Sequence, residues 1–407
     1  MIGGLMKTTS RLTIATAFAA FAASGAMAAD LGGNCCSDLE ERVAELEATT
    51  ARKGNRKVSL EVSGHVNEIV LYWDDGVESD VYQLTNVQSR TRYRFKGSAK
   101  ITSDWSAGFL IEIGLVRGGS SLNYDEASDD PSLGTDSRLD IRHQALYVKS
   151  KRLGTFWMGH TSDSTDGITQ ICLGCTMGNY HSVAGGDIVG NLEYRNSVTK
   201  AKTGIRARTL LSAEGRRTSL VRWISPEFSG FVVSAHWEDD DVVDGEGYGI
   251  AVRYANEFNG IRVGAGIGYS VAANDDEDHT ELGMSASISH TASGVYVAAS
   301  YGWEDDEGLV GDHRDELWHI GLGMSRKFSP LGKTSIGGYY GNFAWGADSL
   351  GAAAPNQEVD AWGIAINQKI DAAAMEVYLQ YHNFSGESDV ADYDDIDLLL
   401  VGARIRF

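Results

Sequence analysis

The stretch Ser89-Arg-Thr-Arg-Tyr-Arg-Phe-Lys-Gly-Ser-Ala-Lys100 puts a cation at every second position: Arg90, Arg92, Arg94 and Lys96. Thr91, Tyr93 and Phe95 sit between them. A period of two belongs to an extended strand, whose side chains alternate between faces. One face would then be wholly cationic and the other largely aromatic. A water-soluble sheet keeps its apolar face in the core and a mixed-charge face in solvent. A polar face of one sign is out of place there, the more so in an acidic chain with 35 basic and 56 acidic side chains and a formal charge of -21.

That charge argues against nucleic-acid binding, which needs a basic surface to neutralise phosphates. Gly is abundant (48) and Pro rare (4), so neither a collagen-like nor a Pro-rich disordered chain fits. The first 28 residues read as an export signal. Lys7 and Arg11 precede the apolar run Leu12 to Ala23, and Ala26-Met27-Ala28 offers a small-x-small cleavage site. Losing that segment removes Lys7 and Arg11 and no acid, which takes the charge from -21 to -23. No later segment is apolar enough to cross a bilayer as a helix. An exported chain of this kind is either soluble or a closed β-barrel.

Residues 29–57 form the next block, with a helix expected over 37–53 (SDLEERVAELEATTARK), where Leu39, Val43 and Leu46 share a face. A trimeric stalk and a solvated helix are both compatible with so short a seam. From residue 58 to 407 the period is two. In WSAGFLIEIGLV, Phe109, Ile111, Ile113 and Leu115 alternate with Leu110, Glu112 and Gly114; in NGIRVGAGIGYS, Ile261 to Tyr269 alternate with Arg262 and glycines. About sixteen such runs occur, each near the length of a tilted membrane strand.

The connections sort by parity. Short ones fall near 102–104, 150–153, 226–229, 256–259, 291–293, 329–332 and 370–372. Long ones are expected near 74–87, 118–137, 162–216, 239–245, 271–278, 304–313, 346–356 and 385–394, and they hold acid-rich runs such as Glu238 to Glu246. A transmembrane barrel has short turns on one rim and long loops on the other. No acidic run completes a calcium-loop pattern, so these acids read as solvated charge and no metal site is expected. The barrel also accounts for the opening stretch. Four cations turned toward lipid would cost roughly 2–4 kcal/mol each near the midplane, so Tyr93 and Phe95 face outward and the cations face water.

The N-terminal block Ala29-Asp-Leu-Gly-Gly-Asn-Cys-Cys, the 39–54 helix and Arg56-Lys-Val-Ser-Leu-Glu-Val-Ser-Gly resemble the entry segment of the alphaproteobacterial general porins. Pro226-Glu-Phe-Ser-Gly-Phe, Tyr254-Ala-Asn-Glu-Phe-Asn-Gly and the terminal Phe407 resemble later turns and the end of that family. The resemblance spans nearly the whole mature chain. It implies an all-β fold, a 16-stranded antiparallel transmembrane β-barrel with a third outer loop, about 162–216, inserted as a constriction. It further implies a homotrimer in the outer membrane of a Gram-negative bacterium, passing ions and small hydrophilic solutes by passive diffusion without a cofactor.

On that frame Arg90, Arg92, Arg94, Lys96, Arg142 and Arg222 form a basic pore wall, and Asp163 and Asp166 of the third loop stand opposite. Pairing of these arginines with loop carboxylates is an alternative that leaves them structural. Cys172 and Cys175 are expected to close a small disulfide in the loop. Cys35 and Cys36 are too close to bond to each other readily. No H-E-x-x-H, Walker loop or G-x-S-x-G is present, so no catalytic residue is named. Two other readings remain open: an envelope tether whose helix reaches periplasmic polymers, and a solute-specific channel.

Overall fold

The computed structural model describes residues 57–116, 119–122, 124–125, 138–175, 187–207, 213–240, 245–274, 277–306, 314–346 and 355–407. The expected signal segment, the 37–53 helix, Cys35 and Cys36 lie outside the described residues.

The strands are β1 (Ser59–Asp74), β2 (Ser79–Thr85), β3 (Arg92–Lys100), β4 (Trp105–Val116), β5 (Arg138–Ser150), β6 (Gly154–Ser162), β7 (Glu193–Arg195), β8 (Lys202–Arg206), β9 (Arg217–Ile224) and β10 (Phe231–Asp240). They continue with β11 (Gly245–Phe258), β12 (Ile261–Asn274), β13 (Glu277–His290), β14 (Val295–Asp306), β15 (Arg314–Ser329), β16 (Gly332–Trp345), β17 (Gln357–Ile370), β18 (Met375–Ser388), β19 (Ala391–Asp392) and β20 (Ile396–Arg406). All but β7 and β8 form one antiparallel sheet closed by pairing of β1 with β20, from Asp74↔Asp397 to His65↔Arg406. Both β2 and β3 pair with β1, and both β19 and β20 with β18, so each couple is one interrupted stave. The barrel therefore has 16 staves. The terminal residue is tied in: Gly64 N–H donates to Phe407 O and Phe407 N–H to Gly64 O, at 2.9 and 3.1 Å.

Closure leaves the barrel sheet without an open edge strand, the condition for crossing hydrocarbon. Alternation then sorts the side chains. On β5 and β6, Leu146, Phe156 and Met158 are exposed on the outer face, and Tyr147 and Trp157 between them point inward. On β15, Trp318, Ile320 and Leu322 face out, while Leu317 and His319 are buried inside.

Three features differ from the sequence reading. The 74–87 connection is not a long loop: β2 occupies most of it, leaving a turn of residues 75–78. The second stave is then broken at 86–91, where Asn86 caps a 3-10 turn (Val87–Ser89) by accepting from Gln88 N–H at 2.9 Å. Arg90 and Thr91 therefore lie in the break rather than on a strand, and Thr91 is buried, accepting from Asn67 N–H at 3.0 Å. The 271–278 and 385–394 connections are also taken up largely by strand, in β12, β13, β18 and β19. Apolar alternation fades there, but the backbone ladder runs on.

The third feature is an apolar interior on one side. Ile69, Leu71 and Trp73 of β1, Phe343 of β16, Phe384 of β18, and Leu398 and Leu400 of β20 are buried in one cluster with Ile188, Val189, Leu192 and Tyr194 of the third loop. The polar side of the lumen is carried by β3 to β6 and β9.

Candidate functional site

Strand register assembles the cationic wall. Inward rungs across β1, β3, β4 and β5 read Ser63–Arg94–Glu112–His143 and, one step along, His65–Arg92–Gly114–Asp140. Pairing of β4 with β5 slips between Glu112 and Ile113, which leaves Arg142 as the extra residue. Such a bulge re-aims a side chain. Here Arg142 Nε donates to Glu112 Oε1 at 2.8 Å, and Arg92 Nη1 to the same oxygen at 3.1 Å. Arg94 Nε donates to Oε2 at 2.7 Å. Gly114 leaves room for this crowding, since a Cβ there would lie 3.0 Å from Arg90 Cδ and 3.1 Å from Arg142 Cδ.

Glu112 has no exposed surface, whereas the Arg94 side chain is 44 % exposed. One carboxylate thus holds three guanidinium groups, and one of those cations still faces water. Arg90 pairs with Asp140 instead. Lys96 is exposed, in register with Glu61. The ion pairs of Arg90, Arg92, Arg94 and Arg142 are to the strand carboxylates Glu112 and Asp140. Alternation in WSAGFLIEIGLV sets Glu112 apart from the apolar face but names no partner for it. Its signal was an acid inside an otherwise apolar run, FLIEIGLV.

A second node was not foreseen. Arg404 and Arg406 of β20 both pair with Glu376 of β18, and Arg404 Nη1 donates to Ser89 Oγ at 2.6 Å. Glu376 faces Arg404 directly where β18 pairs with β20, a register that the period of two does not fix.

The third loop leaves β6 and returns at β9, and its two ends are zipped together. Asp163 N–H donates to Arg216 O at 2.9 Å, and Arg216 N–H to Asp163 Oδ2 at 2.7 Å. Asp163 Oδ1 also accepts from the N–H groups of Thr165 and Asp166, each at 2.8 Å. Arg222 Nη1 donates to Asp163 O at 2.9 Å, and Arg253 to the carbonyls of Ser164 and Asp166 at 2.8 and 3.0 Å. Asp166 takes a bond from Ser162 Oγ and lies 3.7 Å from Arg217. Of Arg90, Arg92, Arg94, Lys96, Arg142 and Arg222, Arg222 therefore meets this pair, through the main-chain carbonyl of Asp163. The loop acid beside Arg90, Arg142 and Arg217 is Asp187. Burial pushes its carboxyl up to about 7, against the pull of those three cations.

Asp163, His236 and Glu238 bring one potential ligand atom each within 4.8 Å of one another. The donors are already engaged: Ser164 N–H donates to His236 Nδ1 at 3.1 Å, which leaves the ring proton on Nε2, and Arg216 reaches Glu238 at 3.8 Å. The group fits a loop anchor better than a metal centre.

Beyond its root the loop lies on a lane of inward glycines. A Cβ on Gly266 would fall 2.6 Å from Ile171 Cδ1 and 2.8 Å from Ile168 Cδ1; one on Gly268 would fall 2.7 Å from Thr165 Cγ2. Ile171 N–H donates to Ser285 Oγ and Leu173 N–H to Ser287 Oγ, each at 3.1 Å. Cys172 and Cys175 are joined by a disulfide, with Cα atoms 5.6 Å apart. Farther on, the β7–β8 hairpin is fixed by Arg195 to Asp75 at 2.7 Å and by Lys200 to Asp394 at 2.7 Å.

The model of one protein family, described as Gram-negative porin, matches residues 15–389. The chain belongs to the Gram-negative porins. Among solved structures, an anion-selective porin from Comamonas acidovorans aligns with a TM-score of 0.59 at 14 % identity, over 86 % of this chain and 100 % of that one. OmpF of Salmonella typhi, in complex with daunomycin, aligns at 0.56 and 15 %, over 87 % and 99 %. The outer membrane channel DcaP of Acinetobacter baumannii aligns at 0.55 and 13 %, over 87 % and 99 %. Comparison with curated proteins finds no match. This porin is an outer-membrane channel for passive diffusion of small hydrophilic solutes, and the cationic wall and seated third loop lie inside it.

Proposed function

We propose that the third loop and the β3–β5 wall together form the constriction of this porin, and that the wall favours anions in transit. The carrying observation is the node at Glu112. Arg90, Arg92, Arg94, Lys96 and Arg142 outnumber Glu112 and Asp140, the carboxylates that pair with the arginines, so positive charge remains on a wall facing water. Fixed charge at a narrow, low-dielectric passage sets ion preference. No chemical step is involved. The assembly is a homotrimer, as in the trimer form of OmpT of Vibrio cholerae, a fold neighbour with a TM-score of 0.55.

Planar-bilayer conductance of the purified protein under a salt gradient tests this reading. The expected result is three equal sublevels and a reversal potential on the anion side. Changing Arg92, Arg94 and Lys96 together to Gln should move that potential toward the cation side. Unchanged selectivity in the folded variant would remove the wall from the constriction. Deleting residues 37–53 should leave both conductance and envelope attachment intact; surviving conductance with lost attachment would favour the tether reading.

A further inference from the structure

Below the arginine node the lumen carries an aromatic pair to which diffusion assigns no role. Tyr147 and Trp157 face each other across β5 and β6, with ring centroids 4.8 Å apart, and each is only half-buried. Tyr147 lies over β4 because residue 108 is Gly; a Cβ there would be 2.5 Å from the phenol oxygen. On the far side Arg222 is in register with Trp157, its guanidinium carbon 5.8 Å from the ring centroid. The rung thus runs Ser98–Gly108–Tyr147–Trp157–Arg222, with no acid in it.

The adjoining rungs supply more cations and little bulk. The rung toward the node carries Lys96, Leu110, Ala145 and Gly159, and Lys149 stands one step beyond Tyr147 on β5. Lys149 is one inward step from Tyr147 on the same strand, about 7 Å, within reach of a lysine side chain, while Lys96 lies two strands away on β3. Two half-buried rings flanked by Arg222 and Lys149 match a solute that is both flat and anionic. Rings supply stacking, and the cations supply charge pairing with a carboxylate.

We infer that Tyr147 and Trp157 form a subsite for small planar aromatic carboxylates on their way through the pore. The subsite rests on the reading of the lumen as an open diffusion path. Its occupant crosses faster at low concentration and saturates, unlike a solute that only diffuses.

The test is chloride current through purified wild-type protein in a planar bilayer, titrated with sodium benzoate, sodium cyclohexanecarboxylate or sodium acetate. Benzoate should reduce the current saturably, while acetate and the non-planar ring acid should not. In Trp157→Ala the half-blocking benzoate concentration should rise about fivefold, and Trp157→Phe should recover most of the effect. Should Trp157→Ala fail to fold, the wild-type comparison of the two ring acids still decides. Benzoate acting no differently from cyclohexanecarboxylate, with chloride current intact, overturns the subsite. Absence of any chloride current overturns the diffusion reading and the subsite with it.

Discussion

Glu112 is the residue on which the cationic wall turns. It has no exposed surface and three guanidinium partners, so Glu112→Gln leaves those cations crowded without their counter-charge. Removing one partner of a fully buried pair costs about 3–5 kcal/mol. Arg94 keeps water contact, so the expected loss is lower, about 1–3 kcal/mol in a urea refolding titration. The same variant should shift reversal potential further toward anions; a shift toward cations would exclude the node from the ion path. Asp187 adds a pH dependence. Its folded pKa, about 7, stands above the ordinary carboxylate value, so it is neutral below that pH and ionises as pH rises through it. Ionised Asp187 offsets Arg90, Arg142 and Arg217. Anion preference should therefore fall between about pH 6 and about pH 8. Asp187→Asn should hold it at the low-pH value throughout, and an unaltered pH profile in that variant would count against this role.

At the scale of elements, the third loop is held by shape as much as by bonds. The glycines of β12 and β13 keep the wall low enough for Ile168 and Ile171 to lie on it. Gly266→Leu should lift the loop at a cost of about 1–3 kcal/mol, the usual penalty of overpacking. Limited proteolysis of the folded barrel should then cut within residues 162–175 faster than in the wild type. Equal resistance would mean that the loop seats elsewhere. The glycines of NGIRVGAGIGYS were readable as inward-facing from alternation, but not as a seat. Which loop lies against a strand far away in sequence is not encoded in local period. The same limit explains β2. Asp74 to Val87 looked like an outer loop because its acids mask the alternation, yet β1 supplies a partner ladder from Glu68 to Asp74.

For the whole molecule, the lipid-facing surface sets the sharpest constraint. Leu322, halfway along β15, is 65 % exposed on the outer face. Leu322→Arg should cost about 2–4 kcal/mol in refolding into bilayers if that face meets hydrocarbon. A neutral effect there would imply that the face is not lipid-exposed. His319, three residues away, points inward and is buried, so a charge at Leu322 cannot simply turn into the lumen without slipping the register of the strand.

Period two, the parity of the connections and the cost of cations in lipid determined the barrel and the inward face of Arg92, Arg94, Lys96, Arg142 and Arg222. Those are local properties: each follows from one strand and the solvent on either side of it. Tertiary structure alone decided that Glu112 and Glu376 gather the arginines, that Asp163 zips the third loop shut at its root, and that an apolar cluster lies on one side of the lumen. Each of these depends on which strands become neighbours and where a loop comes to rest. Pairing brings residues hundreds of positions apart, such as Tyr378 and Asn86, within 2.9 Å. Alternation says which way a side chain points; only closure of the sheet says what it meets.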